Sequence, residues 1–395
     1  MRSAYVTDVC SVIGNVVLQY GDSGTHASDA YQPSREFVGI FILGRDDIAY
    51  DIPMKSAVLT NEREVEVMDR ERPTPGDKDV IVEIGACGVC MTDYHLYHGT
   101  FPADFPVVPG HESAGEVVAT GDAVTNFETG DRVAIFPGIP CGECDFCKDG
   151  KHNLCQDTVS MGGAGDEILD GAFAEYLRAP AQCLQDIGDL SYSEAAFAEP
   201  FACCIHGVDR ADIETGDTVV IVGAGPIGLL LLQAFRTDGA GTVIVSEPIG
   251  GRRELATDLG ADHVVDPTER ALADQVDELV DRVDVAVEAV GLPTTIEEAH
   301  SITSPGGTTV VFGVPPQDET VEIDPFELYY QELEMVGVFA LTQNTFSRAV
   351  KLLQGDRIET EALITDEFDL GGIQTAFDQM ENNEGLKKMI YPNER

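Results

Sequence analysis

Apolar and polar residues follow three different patterns along the chain. The first 53 residues mix Gly, Ser and Asp turns and show no sustained periodicity. Met54 then begins a run of strand-like alternation that continues through Val65 and Met68. We expect the folded protein to start at Met54. The segment 1–53 is predicted to be a poorly ordered extension, or a stretch that lies upstream of the true start of translation.

The second pattern, over residues 54–205, predicts a small antiparallel barrel. Short runs of alternating apolar and polar residues lie between Gly, Asp and Pro turns, at 80–84, 115–120 and 131–136. Such alternation is typical of strands with one buried and one solvated face. We interpret this segment as the first domain.

The third pattern starts at about residue 206, where apolar strands alternate with apolar helices. Strands are predicted at 218–222 and 242–246, with a helix over 227–235 between them, and further strands at 283–290 and 308–314. This order indicates a parallel doubly wound sheet. The tail from about 344 is predicted to be helical and to return to the first domain. The first domain is therefore expected to comprise 54–205 and 344–395, and the second 206–343.

The composition of the chain limits which binding partners and which cellular compartment are expected. The chain has 395 residues, 70 acidic against 24 basic side chains, and a formal net charge of -46. This charge opposes binding to nucleic acid or to anionic membranes. Together with only seven lysines, it favours a protein adapted to high salt, whereas an acidic mesophilic enzyme is the alternative. No signal peptide is recognised, and no apolar run is long enough to cross a bilayer. A cytoplasmic protein is predicted.

A glycine fingerprint predicts a dinucleotide site. Gly223-Ala-Gly225-Pro226-Ile227-Gly228 lies between an apolar strand and an apolar helix. In this context the glycines allow a sharp turn, close approach of pyrophosphate and close helix packing, and the helix N-terminus faces the anion. Glu247 stands where an acidic residue would accept from the ribose hydroxyls, which favours NAD. Arg252 and Arg253 could contact a 2′-phosphate, so NADP remains an alternative, as does a glycine turn that binds no nucleotide.

Two groups of residues are candidate metal ligands. Cys141, Cys144, Cys147 and Cys155 have the spacing Cys-x2-Cys-x2-Cys-x7-Cys, which suits a closed tetrahedral zinc site within a lobe over about 137–155. Upstream, Cys90 precedes the block of His111 and Glu112, and zinc accepts thiolate, imidazole and carboxylate alike. The ten cysteines of this large chain therefore favour metal binding over a disulfide framework.

From Met54 to its end the chain resembles the zinc-containing medium-chain alcohol dehydrogenases. The resemblance is carried by the Gly-His-Glu block, the four-cysteine lobe, Glu199-Pro200 and the glycine fingerprint, all in the family's order. It implies a GroES-like barrel with a Rossmann domain, one catalytic and one structural zinc, and a homodimer or homotetramer. Glu199-Pro-Phe-Ala-Cys-Cys-Ile-His is more similar to the sorbitol, butanediol and threonine dehydrogenase branches than to the ethanol-type enzymes.

The resemblance also implies roles for individual residues. Cys90, His111 and Glu112 would ligate the catalytic zinc, with Glu199 at the same metal. Asp93 would accept from the ligand histidine and fix its tautomer. Thr92 would take the proton of a zinc-bound alcohol and pass it through the cofactor ribose to His95, as hydride leaves carbon for the nicotinamide. Small buried core positions are predicted for the remaining cysteines, which are Cys10, Cys87, Cys183, Cys203 and Cys204.

The substrate is less closely defined. A secondary alcohol, diol or polyol is favoured, and a simple primary alcohol is the alternative. Sorbitol dehydrogenases commonly carry an arginine after Gly-Val-Phe, where this chain has Ala340. Phe105, Phe136 and Phe339 are candidates for lining the pocket. Two other classes are alternatives: a non-catalytic zinc- and nucleotide-binding redox sensor, and a zinc-free relative of the quinone reductases.

Overall fold

The computed structural model describes residues 53–165 and 167–393. Cys10 and the predicted extension, apart from Pro53, lie outside the described residues. Two large sheets organise the fold, and two small ones, β1–β2 and β6–β7–β8, flank the first. The strands are β1 (Met54–Asn61), β2 (Glu64–Arg70), β3 (Asp79–Gly88), β4 (Glu112–Thr120), β5 (Arg132–Ile135), β6 (Gly138–Ile139), β7 (Val159–Met161), β8 (Glu167–Leu169), β9 (Tyr176–Pro180), β10 (Leu184–Asp186), β11 (Thr218–Val222), β12 (Thr242–Ser246), β13 (His263–Val265), β14 (Val285–Glu288), β15 (Thr308–Val311), β16 (Glu334–Gly337), β17 (Ile364–Phe368) and β18 (Lys387–Ile390).

Helices connect and cover these strands. The α-helices are α1 (Met91–Tyr97), α2 (Asp145–Lys148), α3 (Tyr192–Ala196), α4 (Ala198–Ala211), α5 (Pro226–Asp238), α6 (Gly250–Asp258), α7 (Leu272–Asp277), α8 (Pro293–Ile302), α9 (Pro325–Tyr330), α10 (Gln343–Gln354) and α11 (Ile373–Glu381). Short 3-10 helices lie at His152–Leu154, Ala181–Cys183, Glu361–Leu363 and Leu370–Gly372.

The first large sheet has seven strands and is mainly antiparallel. Its order is β10-β5-β4-β3-β18-β17, and β9 also pairs with β3. Gly88 at the end of β3 is paired with Glu112 at the start of β4. This register brings the residues after β3 and those before β4 to one end of the sheet, where the candidate metal ligands lie.

The second large sheet is parallel throughout, as the continuous apolar runs predict. Its order is β13-β12-β11-β14-β15-β16, which is the doubly wound order with a switch point between β11 and β14. Alternate residues of β11 enter different cores: Val219 and Ile221 join the large core, and Val220 and Val222 join a smaller one on the opposite face. Burial on both faces explains why β11 is apolar at successive positions.

The tail after residue 344 differs from the helical prediction. It contains α10 and α11, but also β17 and β18, which pair in parallel and join the first sheet through β3. All four residues of β18 are buried, so that neither strand alternation nor a helical period marks it. The domain boundaries predicted at 205 and 344 stay predictions, and the first of them falls within α4.

Candidate active site

Three candidate ligands converge at the end of the first sheet. Cys90 is the residue that precedes α1, His111 precedes β4, and Glu112 begins it. The thiol, an imidazole nitrogen and a carboxylate oxygen of these residues all lie within 4.8 Å of one another. His111 and Glu112 are buried, and Cys90 is half-buried. The three side chains can therefore contact one small cation.

Asp93 holds this trio in place. Its Oδ2 accepts from the Cys90 amide at 2.8 Å, and its Oδ1 accepts from the Gly110 amide at 2.9 Å. The same Oδ1 lies 3.4 Å from His111 Nδ1. Burial alone would lower the pKa of His111, but the Asp93 carboxylate and the nearby Cys90 outweigh it and raise this pKa well above its usual value. One fully buried carboxylate thus connects the backbones on both sides of the site and orients the imidazole.

Glu199 lies beside the trio but is not one of the three. It occupies the first turn of α4 and is buried. Burial raises the pKa of its carboxyl group to about 7; the charge of His111 opposes this rise and that of Glu112 adds to it. The Sγ atom of Cys203, one helical turn further on, lies 3.8 Å from Glu199 Oε1. Cys203 thus lies beside the site and is half-buried. Cys87, Cys183 and Cys204 are buried in the core, as predicted.

Lys387 is a site residue that the sequence reasoning missed. It lies on β18, is 5% exposed, and its Nζ forms an ion pair with Glu112 Oε2. Burial alone would lower the pKa of Lys387, but the negative charges of Glu112 and Cys90 raise it overall. One signal was present in the sequence: two of only seven lysines are adjacent here and run directly into apolar Met389 and Ile390.

The predicted proton relay lies on α1. Thr92 is half-buried at the second position of this helix. His95 is also half-buried, and its Nδ1 lies 2.9 Å from Thr100 Oγ1. Since the Thr100 hydroxyl donates to the His95 carbonyl, its oxygen is left to accept from Nδ1–H, and Nε2 is the free acceptor of the neutral ring. Burial, and then the proximity of His98, lowers the pKa of His95.

The four-cysteine lobe forms a second, closed cluster. The sulfur atoms of Cys141, Cys144, Cys147 and Cys155 lie within 4.8 Å of one another. Backbone amides point at them: Cys144 N lies 3.4 Å from Cys141 Sγ, and Cys147 N lies 3.4 Å from Cys144 Sγ. Hydrogen bonds from the amides of Gln156 and Cys147 lower the pKa of Cys144 to about 6. Four thiols supplied with amide donors suit a tetrahedral structural zinc.

A cavity of about 530 Å³ extends from Cys90 and Glu112 to the glycine fingerprint. Cys90, Glu112 and Lys387 line one end, and Gly225 and Glu247 line the other. The cavity therefore lies between the two large sheets, at the carboxyl ends of the parallel strands, where open α/β sheets bind ligands.

The fingerprint has the geometry that its glycines predict. Gly223 has a φ of 104°, a conformation that favours glycine, and a Cβ at Gly228 would lie 2.0 Å from the Gly223 carbonyl oxygen. A Cβ at Gly225 would meet open space, and Pro226 begins α5 with Ile227 next. The Gly225 backbone thus faces the cavity at a helix N-terminus.

The side chains around Glu247 already have partners. Oε2 of Glu247 accepts from the Ala224 amide at 2.8 Å, and Oε1 accepts from the Ile249 amide at 3.0 Å. Arg252 Nη2 donates to Asn383 Oδ1 at 3.1 Å and to the Gly385 carbonyl at 2.9 Å. Arg253 Nη1 forms an ion pair with Asp266 at 2.9 Å. Both arginines that were candidates for phosphate contact are engaged within the protein.

The aromatic residues proposed to line the pocket lie elsewhere. Phe136 is buried, with its ring centroid 5.7 Å from that of Phe346. Phe339 is 62% exposed at the surface, and Phe105 is half-buried. None of the three lines the cavity between the sheets. A role of these three residues in lining the substrate pocket stays a prediction.

Comparisons with known proteins agree with this geometry. The family model of the alcohol dehydrogenase GroES-like domain matches residues 76–189, and that of the zinc-binding dehydrogenase matches 226–355. Sorbitol dehydrogenase of Bacillus subtilis is 36% identical over 349 residues, which cover 86% of this chain and 98% of that protein. D-altritol 5-dehydrogenase of Agrobacterium fabrum is 34% identical, over 79% of this chain and 91% of that protein.

Solved structures show the same similarity. A protein of Sinorhizobium meliloti, named as a zinc-binding dehydrogenase and bound to NADP, superposes with a TM-score of 0.81 at 37% identity, covering 86% of this chain and 99% of that one. An Escherichia coli protein named as a short chain alcohol dehydrogenase, complexed with NADH, gives 0.80 at 29% identity, with coverage of 86% and 99%. Within residues 53–165 and 167–393, no helix is both long and apolar enough to cross a membrane.

Proposed function

Because this chain belongs to the zinc-containing medium-chain alcohol dehydrogenases, we propose that it oxidises a secondary alcohol group of a diol or polyol with NAD at the site around Cys90, His111 and Glu112. The GroES-like barrel with a Rossmann sheet, the zinc-dependent alcohol oxidoreductase class and the cofactors zinc and NAD(P) are confirmed. The non-catalytic sensor, the zinc-free reductase and a primary alcohol substrate are not favoured. The observation that carries the proposal is one cavity that is lined by Cys90 and Glu112 at one end and by the glycine fingerprint at the other.

The residues present fit a zinc ion. Cys90, His111 and Glu112 offer a thiol, an imidazole and a carboxylate, the donor types of catalytic zinc sites. When bound, zinc supplies the Lewis acidity that lowers the pKa of an alcohol hydroxyl. Asp93 fixes the imidazole, and Glu199 provides a further carboxylate beside the trio. We assign Cys141, Cys144, Cys147 and Cys155 to a second, structural zinc.

Thr92 and His95 are proposed to move the proton. The Thr92 hydroxyl accepts the proton of the alcohol and releases its own proton toward His95. His95 takes this proton up at Nε2, because its Nδ1 is engaged by Thr100. The lowered pKa keeps His95 neutral near pH 7, so that it is ready to accept. Its half-buried position allows exchange with solvent.

The assay that tests this function is NAD reduction across sorbitol, xylitol, a butanediol, threonine and ethanol, combined with metal analysis. We expect two zinc ions per chain, activity with polyols or diols above that with ethanol, and loss of activity with a chelator that added Zn²⁺ reverses. Cys90→Ser should abolish turnover while the protein stays folded. Turnover by a zinc-free protein, or by Cys90→Ser, would refute the proposal.

Preference for NAD over NADP is proposed from the charges around Glu247. The buried carboxylate stands where a 2′-phosphate would lie and repels it. Nη2 of Arg252 is engaged by Asn383 and Gly385, and Nη1 of Arg253 by Asp266, so both side chains already have partners within the protein. A kcat/KM with NADP equal to or above that with NAD would contradict this assignment.

A homo-oligomer is proposed through the end of the parallel sheet. β16 is the last strand of that sheet, and α9 beside it buries none of its residues. Phe326, Tyr329 and Tyr330 on α9 are 65%, 78% and 73% exposed. So large an aromatic patch beside a sheet edge is typical of a subunit interface. Sedimentation should give a dimer or tetramer that Phe326→Ser with Tyr330→Ser dissociates, whereas Leu279→Ser, at an exposed apolar position on the same domain, should not.

The charge of -46 further supports a cytoplasm of high salt as the working environment. Self-repulsion among acidic side chains is screened by salt, so the unfolding temperature should rise with KCl. A fall with added KCl would exclude this adaptation.

A further inference from the structure

The buried lysine of the metal site has no role in the reaction described above. Lys387 reaches Glu112 from the far side of β3, since the order of strands is β4-β3-β18. Neighbouring strands lie about 4.8 Å apart, so β4 and β18 are separated by about twice that distance. The side chains of Glu112 and Lys387 must therefore cross over β3 to meet. Gly88, on that strand, leaves the space: a Cβ there would lie 2.2 Å from Glu112 Oε2 and 2.8 Å from Lys387 Cε. The backbone is thus arranged around this ion pair.

The charges of the site show what the pair does. Cys90, Glu112, Glu199 and Asp93 are acidic groups that lie close together, with His111 beside Asp93 and the ammonium of Lys387 paired with Glu112. Burying an ammonium to this extent is strongly unfavourable unless it is paired. The ammonium therefore remains paired with Glu112, and it occupies an oxygen of the same carboxylate that would bind a metal ion.

From this geometry we propose that Lys387 is the counter-ion of the metal centre, which competes with zinc for Glu112 and weakens the hold of the site on the metal. This inference rests on the proposed function. Lys387 is a positioning residue, because it acts through Glu112. Two effects have the same sign: the ammonium repels the divalent cation, and it occupies one oxygen of a ligand. Removing the ammonium should strengthen zinc binding.

The direction of the change separates this role from a structural one. If Lys387 only supported the fold, its loss would loosen the site and speed the release of zinc. As a counter-ion, its replacement slows release. Changes around metal ligands typically alter affinity by about 10- to 100-fold, so we expect Lys387→Met to release the catalytic zinc at least about tenfold more slowly.

The experiment follows zinc release from the full-length protein to a chelating dye. Release from the four-cysteine lobe serves as an internal reference, and Cys90→Ser identifies the catalytic phase by removing it. Lys387→Gln, which keeps a hydrogen-bonding group without the charge, should also slow release, and Lys387→Arg should restore the wild-type rate. Lys388→Met is the matched control, because Lys388 is equally buried on β18 but donates to the Glu384 and Leu386 carbonyls.

Release at the wild-type rate or faster from either neutral variant, with the lobe phase unchanged, overturns the proposal. A wild-type protein with fewer than two zinc ions per chain would instead count against the metal centre itself. Two zinc ions with unaltered release in the Lys387 variants would refute the counter-ion role alone.

Discussion

Asp93→Asn tests whether one carboxylate holds the metal site together. The substitution keeps the size of the side chain and removes its charge. In the native protein Oδ1 accepts from Gly110 N and faces His111 Nδ1, while Oδ2 accepts from Cys90 N. An asparagine has one oxygen and one amide nitrogen. In either orientation of the asparagine amide, its NH₂ group faces one of the two backbone N–H donors, Cys90 N or Gly110 N. That N–H group then loses its acceptor.

The expected loss of stability can be worked out from these contacts. A buried amide left without a partner costs about 1–3 kcal/mol, and replacing a charged acceptor by a neutral one in the remaining bond costs about 1 kcal/mol more. The free energy of unfolding of Asp93→Asn should therefore fall by about 2–4 kcal/mol. Zinc affinity should fall by about 10- to 100-fold, since the partner of the ligand histidine is weakened.

Denaturant unfolding and zinc release measure these two effects. The control is Asp122→Asn, because Asp122 is exposed in a turn. Asp93→Asn should release zinc faster than the wild type, the opposite of Lys387→Met. Unfolding within about 0.5 kcal/mol of the wild type, the range of ordinary surface substitutions, together with unaltered zinc release, would show that Asp93 does not hold the site as described.

Three further outcomes are expected. Cys144→Ser should leave one zinc per chain and lower the unfolding temperature, because a structural zinc contributes folding energy directly; two zinc ions by metal analysis would contradict the assignment of the lobe. Glu247→Gln should lower the preference for NAD over NADP at least about tenfold in the ratio of kcat/KM values, since the charge that repels a 2′-phosphate is lost, and an unchanged ratio would move the selectivity elsewhere. For alcohol oxidation, kcat/KM should fall as the pH drops through the lowered pKa of His95, below the usual value of about 6.5, because protonation removes the acceptor. His95→Gln should abolish this inflection and His98→Gln should keep it, whereas an inflection that survives in His95→Gln would assign the titration to another group.

The sequence could predict features that are formed by residues close together in the chain or by a known order of motifs. The fingerprint from Gly223 to Gly228 is contiguous with the strand before it and the helix after it, and its geometry followed directly. The pairing of Cys90 with His111 needed only the family's order of motifs. Lys387 could not be found in this way, because its contact with Glu112 depends on β18 returning to β3 and on the absence of a side chain at Gly88.

The same limit explains the tail. The segment 343–354 has a clear helical period and was predicted as a helix, but Lys387-Lys-Met-Ile has no alternation of apolar and polar residues that would mark a strand. Two charged residues in succession indicate a solvated segment when read locally. They are buried because Glu112 and two backbone carbonyls satisfy them, and such partners are known only from the fold.

One helix determines how the metal centre and the dinucleotide site lie relative to each other. Glu199 is in the first turn of α4, beside the ligand trio, and Cys204 Sγ lies 3.8 Å from the Ile227 carbonyl in the first turn of α5. A Cβ on Gly207 would lie 2.9 Å from the ring of Phe312, so α4 also packs closely against the end of β15. Residues of α4, α5 and the end of β15 therefore pack directly against one another behind the cleft. Since a displacement of about 1 Å can cost about 10²-fold in rate, the packing of α4 against α5 and the end of β15 bears directly on how a substrate beside the trio would face a cofactor at the fingerprint.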